Sequence, residues 1–171
     1  MESEIIVCRS CSGLNRVPIQ RLNDNPKCGR CGAPLFASKP LNADSAMFDR
    51  LIGKGTLPVL VDFWAAWCGP CRAMAPAFEA AAAALEPRML LAKVDTEAAQ
   101  DIAARYAIRS IPTLILFRSG REVARQPSAM NLQGLVRWAQ STMATPWPSI
   151  QPVPCARLRQ HGPSPQGSCQ A

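Results

Sequence analysis

From about residue 37 onward the apolar residues recur with two alternating periods, and each change of period marks an element. Met47, Phe48, Leu51 and Ile52 fall at helical spacing after Asp44, which predicts a helix over 45–53 with Asp44 as its N-cap. The run LPVLVDFWA (57–65) is apolar on both faces of an extended chain and predicts a buried strand. GPCRAMAPAFEAAAAALE (69–86) is strongly helix-forming, with Pro76 expected to kink it. RMLLAKVD (88–95) predicts a second strand, TEAAQDIAARYAI (96–108) a helix, and PTLILFR (112–118) a third strand. Ser119-Gly120 signals a tight turn into REVARQ as the hairpin partner. Asn131 suits the cap of a last helix, whose Leu132, Leu135, Val136, Ala139 and Met143 form one apolar stripe. Strands alternating with helices and closing on a hairpin predict an α/β fold, a mixed central sheet flanked by helices.

Both flanks depart from this pattern. Residues 1–36 are rich in Cys, Gly, Pro, Asn and Arg, with apolar residues too sparse for a core of their own, so this segment is expected to need a staple. Residues 144–171 hold six prolines, no acidic residue and no apolar period, and are expected to be a disordered Pro-rich tail. The expected division is therefore a small module (1–36), one domain (37–143) and a tail.

Composition changes little in this picture. Hydrophobic residues make up 48% and charged residues 18% of 171, an ordinary globular balance. No apolar run is long enough to span a membrane, and the beginning MESEIIVCRS lacks a secretory pattern, so the expectation is a cytoplasmic protein. The formal net charge of +7 comes from scattered Lys and Arg without a block. Arg9, Arg16, Arg21, Lys27 and Arg30 have only Phe36 among them to stack a base, which argues against nucleic acid. In a reducing compartment, eight cysteines point to metal ligation and redox chemistry more than to a disulfide framework.

Spacing sorts the cysteines. Cys8, Cys11, Cys28 and Cys31 form C-x2-C-x16-C-x2-C, which suits one structural zinc ion held by four thiolates, with free or disulfide-paired cysteines as the alternative. Gly13, Gly29 and Gly32 beside them would supply the left-handed backbone that such knuckles use. A closed shell leaves no open position for catalysis, although oxidation of the thiolates would release the metal and unfold the module. Cys68 and Cys71 have no second pair at ligand spacing, because 13 residues separate Cys155 from Cys169. That leaves redox chemistry. Cys68 falls at a helix start, where unpaired N–H groups and the helix dipole stabilise a thiolate, so it is the expected nucleophile. Cys71, one turn later and expected to be better buried, is the resolving thiol. Asp62 interrupts the apolar strand six residues before Cys68, and burial would raise its pKa enough for it to act as a base on Cys71.

WCGPC (67–71) after VDFWA (61–65), with IPT (111–113) downstream, resembles the thioredoxin family over about 37–143, and the cysteine doublet resembles its zinc-binding bacterial subfamily. The resemblance implies a thioredoxin-like fold with an N-terminal four-cysteine zinc ribbon, acting as a protein-disulfide reductase. It implies that Asp62 is the base, that Lys93 pairs with and modulates it, and that Pro112 is a cis-proline facing the cysteines. It leaves Ile111 to pair with an extended substrate peptide. Trp67, Gly69 and Pro70 would form an apolar rim around Cys68, while Trp64 is expected in the core. A plain strand-edge ion pair is the other reading of Asp62 and Lys93, and a trans proline that of Pro112.

The implied partners are disulfide-containing clients and an NADPH-dependent thioredoxin reductase. No flavin or nicotinamide fingerprint occurs in the chain itself. Ser128 stands where the family usually has glycine in a substrate loop, and the Pro-rich tail with Cys155, Cys169 and His161 has no family counterpart. A zinc-dependent, redox-switched binding or chaperone-like protein is the alternative function. An oxidase or isomerase is disfavoured by Gly-Pro between the cysteines.

Overall fold

The computed structural model describes residues 2–144. The readings placed on the tail, including Cys155, His161 and Cys169, lie outside the described residues. In chain order the elements are β1 (Ser3–Val7), β2 (Leu14–Pro18), a 3-10 turn (Ile19–Arg21), β3 (Leu41–Asn42), α1 (Ser45–Lys54), β4 (Val59–Trp64), α2 (Gly69–Leu85), β5 (Leu90–Asp95), α3 (Gln100–Arg105), β6 (Thr113–Arg118), β7 (Arg121–Gln126) and α4 (Leu132–Ala144). β1 and β2 form an antiparallel hairpin, and the other five strands form a mixed sheet in the order β3-β5-β4-β6-β7. β5 runs parallel to both β3 and β4, while β6 runs antiparallel to its neighbours β4 and β7.

Alternation along the central strands builds two cores. Val59, Val61, Phe63, Val94, Ile115 and Phe117 pack with Phe48, Leu51 and Ile52 of α1 and Ile102 of α3. Leu60, Leu91, Leu114 and Leu116 face the other way, onto Met74, Phe78 and Leu85 of α2 and Leu135 and Ala139 of α4. Asp62 shares the second parity and so points toward the α2 side of the sheet.

The predicted caps and turn are present. The Asp44 carboxylate accepts the Met47 N–H at 2.8 Å, and the Asn131 side-chain oxygen accepts the Gly134 N–H at 2.8 Å. Ser119 and Gly120 both take positive φ, 49° and 79°, as a two-residue hairpin turn with right-handed twist requires. α1 stops at Gly55, whose N–H bonds back to the Leu51 carbonyl, and a Cβ there would stand 2.6 Å from that oxygen. Gly55→Ala is therefore expected to cost about 1–3 kcal/mol, read by urea unfolding at fixed pH.

Several expectations change. The helix read over 96–108 is confined to α3, because 96–99 turn back toward the end of β4: Thr96 N–H donates to the Trp64 carbonyl (2.9 Å), Glu97 N–H to the Asp95 carboxylate (2.9 Å) and Ala99 N–H to the Asp95 carbonyl (2.8 Å). Ala107, at φ 50°, closes the segment. The strand read from 88 begins at Leu90, since Arg88 and Met89 bond back to Leu85 after a cis Glu86–Pro87 bond. Leu132 is 38% exposed at the first position of α4, leaving Leu135 and Ala139 as the buried part of the stripe. Trp64 is half-buried, and α4 runs one residue into the stretch read as tail.

β1, β2 and β3 are additions to the sequence reading. Ile6, Val17, Leu22 and Leu35 gather around Cys8 and Cys28, and the cluster is completed by Leu57 and Leu90 from the larger unit. Thr56 extends the contact: its N–H donates to the Ile5 carbonyl (3.0 Å) and its hydroxyl accepts the Ile5 N–H (2.7 Å). Among the described residues no helix is long and apolar enough to cross a membrane.

Candidate functional site

Two separate cysteine sites stand on this frame. Each N-terminal pair sits on a knuckle with the same bonds: Cys8 N–H to the Gly13 carbonyl (2.8 Å) and Ser12 N–H to the Cys8 carbonyl (2.9 Å), matched by Cys28 to Ala33 (2.8 Å) and Gly32 to Cys28 (2.9 Å). The left-handed positions are Ser12 (φ 56°) and Gly32 (φ 74°). Gly13 and Gly29, expected to take that conformation, do not; the residue directly after the second cysteine of each knuckle does. Asn15 bridges the two turns, its amide donating to the Gly13 carbonyl (3.0 Å) and its oxygen accepting the Gly29 N–H (2.9 Å).

The four Sγ atoms lie within 4.8 Å of one another, with Cys8 to Cys31 and Cys11 to Cys28 both 3.6 Å apart. A tetrahedron with Zn–S bonds of about 2.3 Å has sulfur edges of about 3.8 Å, so the donor set fits zinc. N–H groups of Cys31 and Arg30 lower the Cys28 thiol to about 6. Cys31, although favoured as thiolate by the Ala33 N–H, is pushed up to about 12 by its crowding against Cys11 and by burial. Four thiolates this close need a cation among them.

The second site is at the N-terminus of α2. Cys68 and Cys71 are joined by a disulfide, with Cα atoms 5.3 Å apart. Cys68 is the N-cap, and its Sγ accepts the Cys71 N–H at 3.2 Å. Residue exposure does not separate the two cysteines as expected: Cys68 is 3% and Cys71 2% exposed in this oxidised form. What separates them is the cap bond to Cys68, which favours negative charge on that atom. Across from it, Cys68 Sγ lies 3.8 Å from the Ile111 carbonyl, and the Ile111–Pro112 bond is cis. Trp67 is 67% exposed beside the pair, with Gly69 and Pro70 opening the helix. Ser128 is exposed and its hydroxyl accepts from the Gln126 amide at 2.7 Å.

Asp62 lies on the central strand at 1% exposure, and neither carboxylate oxygen has a hydrogen-bond partner among the described residues. Burial drives its pKa up to about 7, partly offset by the Lys93 ammonium. Lys93 is its register partner across β5, but its Nζ sits 4.4 Å over the Trp64 ring. With β4 in the middle of the sheet, a strand-edge ion pair does not describe this arrangement.

The sign of the pH effect follows. Between the unfolded value near 3.8 and the folded value of about 7, the folded state binds a proton that the unfolded state has released, so stability falls as pH rises through that window. Asp62→Asn is expected to be more stable than wild type by about 2–4 kcal/mol at pH 8, with the advantage shrinking toward pH 4. Urea unfolding at the two pH values checks this.

The description "Thioredoxin" matches residues 39–141, and the description "Thioredoxin 2, N-terminal" matches residues 7–33. "Thioredoxin C-3" of Corynebacterium nephridii is 44% identical over 134 residues, spanning 78% of this chain and 92% of that one. The thioredoxin of Porphyra purpurea is 49% identical over 78 residues, 46% of this chain and 73% of its own. Among solved structures, a mutant thioredoxin from Halobacterium salinarum NRC-1 superposes with a TM-score of 0.57 at 30% identity, covering 63% of this chain and 93% of that chain.

Proposed function

The chain belongs to the thioredoxin family as a thioredoxin-type protein-disulfide oxidoreductase with a CxxC redox pair, and on that premise we propose how its own residues divide the work. Cys68 is the nucleophile. Its thiolate attacks one sulfur of a client disulfide, the other client sulfur leaves as a thiolate, and a mixed disulfide forms. Asp62 takes the proton from Cys71, and the Cys71 thiolate then attacks the Cys68 sulfur, expelling the second client thiolate and closing the Cys68–Cys71 disulfide. Two electrons from a thioredoxin reductase reopen it.

The observation that carries this reading is the sulfur of Cys68 on the N-terminal N–H of α2, facing the Ile111 carbonyl. There Ile111 can pair with an extended client segment, with Pro112 shaping that backbone and Trp67, Gly69 and Pro70 forming the apolar rim. Lys93 lowers the Asp62 pKa electrostatically without occupying its oxygens, which leaves the base free to accept.

The same reading treats 1–36 as a zinc module with Cys8, Cys11, Cys28 and Cys31 as ligands, 37–143 as the redox domain, and the remainder as a tail. The zinc is structural. The chain leaving the module is fastened to the far end of α2, where the Glu86 carboxylate accepts the N–H groups of Ala37 (3.1 Å) and Ser38 (2.5 Å), the first residues of the redox domain. A 17-residue helix sets that end about 25 Å from Cys68.

Single-turnover reaction of the reduced chain with a protein disulfide tests the division of roles. Asp62→Asn is expected to leave the initial attack within about 3-fold while slowing resolution about 10- to 100-fold, and to remove the rise of the resolution rate with pH near 7. Equal resolution rates in the variant and wild type at every pH would contradict the base assignment.

A further inference from the structure

The expected helix over 96–108 is replaced at its beginning by a turn that grips the loop carrying the redox pair. Thr96 holds the Trp64 carbonyl with both its N–H (2.9 Å) and its hydroxyl (3.2 Å). Glu97, next in the chain, accepts the indole N–H of Trp67 on Oε1 at 2.8 Å. Its own backbone N–H is tied to the Asp95 carboxylate at 2.9 Å, so the acceptor is presented from a fixed turn. Trp67 directly precedes Cys68 and is 67% exposed. Without a polar partner, an indole so exposed would sample several rotamers and would have to be ordered by each client.

We propose that Glu97 is a positioning and specificity-determining residue of the reductase site, holding Trp67 beside Cys68 and placing a carboxylate on that part of the rim, which selects disulfides flanked by basic residues there. The inference rests on the reductase reading above. The carboxylate does two separable things. As a hydrogen-bond acceptor it pre-orders the apolar surface a client must cover, which acts on every disulfide alike. As a charge within reach of an approaching client it repels acidic neighbours and attracts basic ones, an effect that salt screens. Exposed Arg72, one turn beyond Cys68 on α2, and exposed Arg109, two residues before Ile111, give the rim positive charge elsewhere. The rim is therefore polarised, and Glu97 is its acidic contribution beside Trp67.

Substitution separates the two effects. Glu97→Gln retains an oxygen acceptor for the indole and loses the charge; Glu97→Ala loses both; Trp67→Phe removes the donor. The measurement is kcat/KM, with KM and kcat resolved, for three peptide disulfides that differ in carrying aspartate, serine or lysine beside the reactive cysteine, at low and high ionic strength. Wild type is expected to prefer the lysine peptide to the aspartate peptide by about 5- to 10-fold at low salt and less at high salt. Glu97→Gln should lose most of that preference while keeping the wild-type rate on the serine peptide. Glu97→Ala should also slow the serine peptide by about 3- to 10-fold, mainly through KM, and add little to Trp67→Phe. A preference that survives Glu97→Gln, or serine-peptide rates unchanged in Glu97→Ala, would overturn the inference while the reductase reading stood. Failure of wild type to turn over any of the three peptides would overturn both.

Discussion

A Cys71→Ser variant, mixed in reduced form with a disulfide-bearing protein, is expected to accumulate as a covalent complex through Cys68, and Cys68→Ser is expected to form none. The difference should be nearly all or none, because the two sulfurs meet different groups. Cys68 caps α2 and receives the Cys71 N–H at 3.2 Å, so negative charge on its sulfur is stabilised by an otherwise unpaired helix donor. Its sulfur also faces the backbone of Ile111, where a client strand would lie. Once Cys68 has attacked, Cys71, joined to it in the disulfide form, is the thiol among the described residues placed to attack the Cys68 sulfur and release the client, and serine cannot do so under these conditions. Intact-mass spectrometry before and after dithiothreitol reads the complex. Equal trapping by both variants would contradict the assignment of roles.

Removing the metal from a zinc-loaded chain is expected to open the module while leaving the redox domain folded. The small cluster of Ile6, Val17, Leu22 and Leu35 surrounds the cysteines themselves, so the thiolates are part of the core they staple. Apparent zinc binding in four-ligand peptides is worth roughly 10–16 kcal/mol, far more than so few apolar side chains supply. Hydrogen exchange should therefore rise by about 100-fold or more in β1 and β2, together with the knuckle amides of Cys8, Ser12, Cys28 and Gly32. Amides of β4 and β6 should remain protected, because their ladder does not depend on the module. Exchange that is indifferent to chelation, or a chain that unfolds throughout, would contradict this partition. Asn15→Ala should weaken zinc retention in the same assay, since its amide joins the two knuckles.

What the sequence disclosed, and what it withheld, has physical reasons. Motifs set by spacing were readable: C-x2-C twice for the four-cysteine cluster and C-x2-C at a helix start for the redox pair. Asp62 was readable because a carboxylate inside an apolar strand is itself an anomaly, and the structure leaves both its oxygens without partners among the described residues. Long periodic elements emerged with their caps at Asp44 and Asn131.

Elements fixed by tertiary bonds did not emerge. β3 is two residues long, held by pairing with β5, and no pattern of two residues carries a signal. β1 and β2 hide their apolar residues among cysteines and charges. The lost beginning of the third helix was taken by the Trp64 carbonyl, a partner distant in sequence, against which local helix propensity has little weight. Ser12 takes a left-handed conformation where glycine was expected to be needed, because the knuckle bond fixes the position after the second cysteine whatever residue stands there. Glu97 carried no signal at all, being one acidic residue in a stretch that read as a helix.

Steady-state reduction of a protein disulfide by the zinc-loaded chain, driven by NADPH through a thioredoxin reductase and run beside Cys68→Ser, bears most directly on the reductase assignment. Sustained NADPH consumption is expected, dependent on both the chain and the client and falling to background in the variant. A folded, metal-bound wild type that transfers no electrons, or a Cys68→Ser variant that still does, would refute the assignment.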